Sequence, residues 1–290
     1  MKIRIFCFLL LFIIPLFAQK SAKDSEVDSL DQLINDLVKA SEKEKQEKNK
    51  PERQVKQPKK GGSSKKIIVI DPGHGGSDPG TVDGKVYEKD ITLKLSKKIE
   101  NLSKKYKNLE VILTRDKDTA LDSDKNRDLE KRAKIANEMG ADLFISIHVN
   151  AVGKGGDKSI RGMEIYHLDD TRDDYSDKLA RVENRISENN NTLQTILVDM
   201  ALNCHVGSSL DYAKEIAVGM KRDLKKYDVK MRSYEKGALF LVLVGARMPS
   251  LLFEIGYITN KTERELLQKD EYLEAIAKSL LDSISSSKVK

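Results

Sequence analysis

The chain has no tryptophan, and aromatic residues make up only 6% of it. A basic ribbon interleaved with aromatic side chains, the platform that single-stranded nucleic acid stacks on, is therefore missing. The net charge of +6 suits an anionic partner such as an acidic wall polymer, and no nucleic-acid motif accompanies it. Cysteine is almost as scarce, with Cys7 and Cys204 the only two. Cys7 sits inside an N-terminal apolar run. Once that run is removed, Cys204 has no partner, which excludes an internal disulfide framework. Stability must come from a packed core, and Cys204 reads as a small buried apolar residue. Long apolar runs are also few. The stretch Ile5–Ile14 is shorter than the ~20 residues of a spanning helix.

That run is flanked by Lys2 and Arg4 before it, and by Pro15, Ala18 and Lys20 after it. It reads as a signal peptide over residues 1–18, cleaved near Ala18. The expectation is an exported protein of the periplasm, cell wall or extracellular space, with no membrane span left after cleavage. Residues 19–64 are charged and end in Pro58-Lys59-Lys60-Gly61-Gly62-Ser63-Ser64, a composition that cannot bury a core and predicts a flexible linker. Val27, Leu30, Leu33, Ile34, Leu37 and Val38 recur at helical spacing inside it. They predict a short helix over 26–39, either nascent or a docking segment.

Residues 65–290 predict an α/β domain with one central sheet. Lys66–Asp71, Val111–Thr114, Leu143–His148, Gly162–Tyr166 and Leu251–Ile255 read as strands. Helices are expected over Glu88–Lys104, Leu129–Met139, Tyr212–Leu224 and twice after the last strand. Near-continuous apolar strands imply burial on both faces. Between about 168 and 207 lies a helical insertion, with a weak stripe at Leu179, Val182 and Ile186 and a clear one at Leu193, Ile196, Leu197, Met200 and Ala201.

Histidine is limited to positions 74, 148, 167 and 205. His74 follows the first strand in Asp71-Pro72-Gly73-His74-Gly75-Gly76, and His148 closes a buried strand. Ligands of open α/β sheets bind beyond the carboxyl ends of strands, so these two are candidate metal ligands. His167 and His205 read as structural or exposed. Glu88, at the start of a helix after a turn-rich stretch, is a candidate third ligand, or simply an acid favoured by the helix dipole. Two histidines and a glutamate leave one place of a tetrahedral zinc ion open, the pattern of a catalytic site. Hydrolysis also needs a base. Glu254, in Leu251-Leu252-Phe253-Glu254-Ile255-Gly256, is the candidate; the alternative is a carboxylate paired with Arg247.

The segments Asp71–Thr81 (DPGHGGSDPGT), Glu88-Lys89-Asp90, Leu113-Thr114-Arg115, Ser146–Ala151 (SIHVNA) and Pro249–Asn260 (PSLLFEIGYITN) resemble the zinc-dependent N-acetylmuramoyl-L-alanine amidases. The resemblance covers about Lys66 to Ser285. It implies a single mixed sheet of about six strands flanked by helices on both faces, with Zn2+ on His74, Glu88 and His148 and Glu254 as catalytic glutamate. The implied substrate is peptidoglycan, cut between muramic acid and L-alanine. Phe240–Arg247 (FLVLVGAR) is more apolar than the family's usual lead-in to Met-Pro-Ser. The insertion is similar to that of the cell-division amidases, in which an inserted helix covers the zinc until an activator protein moves it. That likeness makes Glu183 the candidate plug and Glu188 the runner-up. A non-catalytic wall-binding scaffold and a zinc peptidase are the competing readings.

Overall fold

Strand periodicity explains how this chain builds a site. In Leu143-Phe144-Ile145-Ser146-Ile147-His148-Val149-Asn150 successive side chains point to opposite faces. One face therefore reads Leu, Ile, Ile, Val and the other Phe, Ser, His, Asn. The computed structural model, which describes residues 65–169, 174–184 and 205–289, follows that division throughout. The expected signal peptide, the 19–64 segment with its 26–39 helix, Cys204, Glu188 and the 193–201 stripe lie outside the described residues.

Strand β1 (Lys66–Pro72) leads into a small hairpin of β2 (Val82–Asp83) and β3 (Val86–Tyr87), then helix α1 (Glu88–Ser103) and β4 (Leu109–Leu113). Helix α2 (Lys125–Glu138), β5 (Leu143–Asn150), β6 (Met163–Leu168) and α3 (Asp174–Asn184) follow. The chain continues through α4 (Val206–Asp223), β7 (Met231–Ala238), β8 (Ser250–Tyr257), α5 (Lys261–Leu267) and α6 (Asp270–Ser286). Six strands form one mixed sheet in the order β4-β1-β5-β8-β6-β7. β4, β1, β5 and β8 run parallel, β6 is antiparallel to β8, and β7 is parallel to β6. The expected mixed sheet is thus present, but β7 was not expected. It is an edge strand, only its last two residues are buried, and it carries Arg232, Glu235 and Lys236 in place of an apolar run. Charge on an edge strand blocks further pairing and also hides the strand from a search for apolar alternation.

One face of the sheet is mainly apolar. Ile68, Ile70, Ile145, Ile147 and Phe253 pack against Ile91, Leu95 and Ile99 of α1, Ile216 of α4 and Ile276 of α6. Each such buried side chain contributes about 1.5–3 kcal/mol relative to exposure. The opposite face is apolar only near the amino ends of the parallel strands, where Val69, Phe144 and Leu252 meet Leu129 of α2 and Leu179 and Ala180 of α3. Toward the carboxyl ends it turns polar, with Asp71, Ser146, His148, Asn150, Glu164 and Glu254 all buried. The unusually apolar stretch at 240–247 has a structural role here. Phe240, Val242 and Leu243 belong to the cluster that receives α3. The Asn184 amide donates to Leu239 O at 2.6 Å and accepts from Leu241 N at 2.7 Å.

Two helices begin earlier than periodicity suggests. α2 starts after Asp124, whose carboxylate accepts from Arg127 N at 3.0 Å, and α4 starts at Val206 rather than Tyr212. Their first turns are polar or small, so the apolar stripe begins late. No helix among the described residues is long and apolar enough to cross a membrane.

Candidate metal centre

The loop after β1 is held by buried charge. Asp71 lies at the end of β1 and accepts from Ser146 Oγ at 2.6 Å, Thr114 Oγ1 at 2.5 Å and Arg132 Nη1 at 2.9 Å. Burial works against its ionisation, but the Arg132 guanidinium and the two hydroxyls outweigh that and hold it below the usual carboxylate range. Arg132 also donates to Pro72 O and His74 O, each at 2.9 Å. Arg115 donates to Pro72 O and Gly73 O, again at 2.9 Å. Two guanidinium groups thus fix three successive carbonyls. They oblige His74 to adopt a left-handed backbone (φ 61°), a strained state that persists where the surroundings over-determine it. Gly73 must be glycine, because a Cβ there would stand 2.7 Å from both His148 Nε2 and Ile147 O.

This loop brings His74 over the carboxyl end of the sheet, 4.8 Å from the His148 ring between centroids. Glu88, fully buried at the start of α1, reaches both rings. Its Oε1 lies 3.2 Å from His74 Nε2 and 3.2 Å from His148 Nδ1. Its orientation is set by backbone donors, Val149 N to Oε1 at 2.8 Å and Thr81 N to Oε2 at 2.7 Å. The sequence-predicted trio is therefore assembled. A fourth group joins it from α3: Glu183 Oε2 lies 3.1 Å from His148 Nδ1 and 3.4 Å from His74 Nε2. One ligand atom from each of His74, Glu88, His148 and Glu183 falls within 4.8 Å of the others. Among the described residues His74 Nε2 is buried without a hydrogen-bond partner, and Glu183 Oε2 is buried facing both rings, as donors aimed at a shared cation would be. The set fits a metal ion. Burial alone would depress the His74 ring, but the Glu88 carboxylate, helped by Asp78 and Glu183, lifts it to about 9.

Asp78 is a residue that periodicity and motif reading overlooked. Its Oδ2 stands 3.0 Å from His74 Nδ1 and accepts from Lys125 Nζ at 2.7 Å. That contact orients the ring and leaves Nε2 to face the cluster, as outer carboxylates do for ligating histidines. The spacing of four residues from His74 within a glycine-rich turn was the available signal.

Glu254 sits beside His148, its register partner on β8, on the same polar face. It is fully buried, and neither carboxylate oxygen accepts a hydrogen bond among the described residues. Burial pushes it well above the ordinary carboxyl range. The His148 charge opposes this, while Glu183, Glu88 and Glu164 push the same way as burial. Arg247 is exposed, and its backbone N–H bonds Asn137, so the alternative of a Glu254–Arg247 pair does not hold. His167 lies 3.4 Å from Asp169, and His205 caps α4, its carbonyl accepting from Ser209. The structure brings neither into the cluster.

A mixed α/β sheet thus carries at its carboxyl edge a two-histidine, two-glutamate cluster that could hold a metal ion, beside a buried carboxylate that accepts no hydrogen bond among the described residues. Residues 68–286 match the Amidase_3 model, N-acetylmuramoyl-L-alanine amidase, and the chain belongs to that family. It is 31% identical over 220 residues to the endolysin of Bacillus phage SPP1, covering 76% of this chain and 65% of the endolysin. It is 28% identical to the N-acetylmuramoyl-L-alanine amidase AmiC of Escherichia coli, covering 79% of this chain and 55% of AmiC. The chain thus spans a little under two thirds of the endolysin and about half of AmiC. Among solved structures, the N-acetylmuramoyl-L-alanine amidase of Clostridium difficile 630 superposes with a TM-score of 0.57 at 25% identity, over 76% of this chain and 95% of that one. The CwlD amidase of Clostridioides difficile, solved in complex with the GerS lipoprotein, gives 0.56 at 26% identity, over 76% and 96%.

Proposed function

We propose that the chain is an exported, zinc-dependent peptidoglycan amidase acting in cell separation. It cleaves the amide between the lactyl group of N-acetylmuramic acid and the L-alanine of the stem peptide. His74, Glu88 and His148 hold the zinc, Glu254 is the catalytic acid and base, and α3 covers the centre through Glu183. The observation that carries this reading is Glu254, a fully buried carboxylate with no hydrogen-bond partner among the described residues, one strand from His148. A buried carboxylate without a partner costs several kcal/mol, and a scaffold has no use for one.

When bound, zinc acidifies water and polarises the scissile carbonyl. The protein supplies the rest. Asp78 and the Glu88 backbone donors keep the ligand geometry fixed. Glu254 takes a proton from the attacking water and returns it to the leaving nitrogen of L-alanine, which its raised proton affinity favours near neutral pH. Glu183 fills the fourth place of the cluster, and a partner that binds only the uncovered state shifts the population toward activity. The complex of CwlD with a lipoprotein supports the idea that amidases of this fold take protein partners.

Chelation tests the zinc assignment. Dialysis against a strong chelator should abolish release of stem peptides, and one equivalent of Zn2+ should restore it. The His74 ring is held to about 9, and a ligating histidine must be neutral. Zinc binding near pH 7 therefore displaces a proton, and the apparent affinity weakens as pH falls. Activity that survives chelation, or an affinity that strengthens in acid, would contradict the assignment.

A further inference from the structure

A second polar cluster lies on the same sheet face, next to Glu254. Glu164 is the register partner of Glu254 across the antiparallel β6–β8 ladder, which places the two residues side by side at roughly 4.5–5.5 Å between Cα atoms. Glu164 is 2% exposed. Its Oε2 accepts from Asn150 Nδ2 at 2.9 Å, Tyr166 OH at 3.0 Å and Tyr257 OH at 3.1 Å, and Arg232 Nε donates to Oε1 at 3.1 Å. All four donors stand on strands of the sheet.

Tyr257 reaches this face only through a backbone irregularity. His148 pairs with Glu254, but Asn150 pairs with Tyr257, so β8 carries one extra residue between these pairs. Gly256 absorbs it with φ 145°, a conformation that favours glycine. Without that bulge Tyr257 would point into the apolar layer.

One further group enters the cluster, and it comes from outside the sheet. The hydroxyl of Tyr175, in the first turn of α3, lies 2.5 Å from Tyr257 OH and 3.3 Å from Glu164 Oε2, and accepts from Asn150 Nδ2 at 3.0 Å. Helix α3 therefore touches the polar face twice, with Tyr175 here and with Glu183 two turns on at the metal cluster. If α3 lifts, the position of the Tyr175 oxygen is left bordered by a carboxylate acceptor, an amide donor and a phenol that can do either. Glu164 keeps its donors from the sheet, and the Asn150 amide and the Tyr257 phenol border the same position, so it suits a ligand group that both donates and accepts.

The geometry points to a substrate subsite formed by Glu164, Asn150 and Tyr257, which binds a hydroxyl or amide group of the wall polymer beside the scissile bond and which α3 masks with the Tyr175 hydroxyl. This rests on the reading of the centre as an amidase covered by α3. In that reading Glu183 imitates a ligand of the metal, and Tyr175 imitates the neighbouring part of the substrate. A sugar hydroxyl and a peptide amide share the required chemistry, and the length of the test substrate separates them.

The experiment compares zinc-loaded full-length chain with Tyr175→Phe, Tyr257→Phe and the double variant, measuring kcat and KM for release of L-alanyl peptide from soluble muropeptides. Tyr175→Phe should raise basal release several-fold. Adding Tyr257→Phe to it should raise KM and lower kcat/KM about five- to tenfold below Tyr175→Phe alone, with kcat little changed. If the tyrosine pair were only a fastening for α3, the double variant would match Tyr175→Phe, and that result would overturn the subsite. A glycan-extended muropeptide that shows the KM loss, while muramoyl dipeptide does not, assigns the contact to a hydroxyl of the neighbouring sugar; equal losses assign it to the muramoyl dipeptide unit, and a further loss on lengthening the stem peptide assigns it to a peptide amide. Absence of release from every variant with zinc bound would sink the amidase reading itself, a different outcome from a subsite failure.

Discussion

Replacing Glu254 by glutamine should lower stem-peptide release by about 10²–10⁴-fold, the range attributable to a positioned proton-transfer group, while zinc content stays unchanged. The variant keeps the shape of the side chain but exchanges a carboxyl oxygen for an NH2 group, which removes the ability to take up and release a proton. Its effect on stability separates a catalytic from a structural role. Neither oxygen of Glu254 accepts a hydrogen bond among the described residues, and the residue is fully buried, so the carboxylate is held at a cost. Neutralising it should leave the thermal midpoint unchanged or raise it by a few degrees. A structural carboxylate would behave in the opposite way, with glutamine destabilising the fold and activity surviving. Parallel calorimetry, metal analysis and rate measurement on one preparation read all three quantities. Full activity with a lowered midpoint would remove Glu254 from the mechanism.

Uncovering the centre should have the second large effect, in the upward direction. Glu183→Ala removes one of four groups within 4.8 Å of one another but keeps the rest of α3 in place. Leu179 and Ala180 remain buried and Asn184 keeps its two bonds to the 239–241 segment. Deleting residues 175–203 removes the cover together with those contacts. Moving a two-state equilibrium from 1:99 to 99:1 takes ~5.5 kcal/mol. Loss of a charge-assisted contact of ~1.5–3 kcal/mol supplies only part of that. The point substitution should therefore raise basal release by roughly 10–100-fold and the deletion should exceed it. Titrating zinc into both proteins checks that the three remaining ligands suffice. No rise in release from a folded, zinc-loaded deletion protein would remove α3 from regulation.

How much of this was legible in the chain depends on the range of the signal. The alternation in Leu143–Asn150 is local, and by itself it separates the apolar layer from the polar face that holds His148. His74, in its glycine-rich turn, is nearly as direct. Glu88 is weaker, because an acid at the start of a helix has an ordinary explanation; the family resemblance, rather than spacing, raised it. Glu183 carries no local mark that separates it from Asp174 or Asp177 on the same helix, since its place is set by the seat that Phe240, Val242 and Leu243 make for α3. Asp78, Glu164 and Tyr257 went unread for related reasons. Asp78 acts through His74, Glu164 depends on an antiparallel register, and Tyr257 depends on a bulge at Gly256 that inverts the expected alternation. β7 escaped because an edge strand with one partner can be polar.

Mass spectrometry of the products from purified peptidoglycan, with and without chelator, bears most directly on the central assignment. The assignment requires zinc-dependent release of stem peptides that begin with a free L-alanine amine, leaving glycan chains whose muramic acid carries a free lactyl carboxylate. Peptide fragments cut between amino acids, with L-alanine still joined to muramic acid, would contradict it and make the centre that of a peptidase.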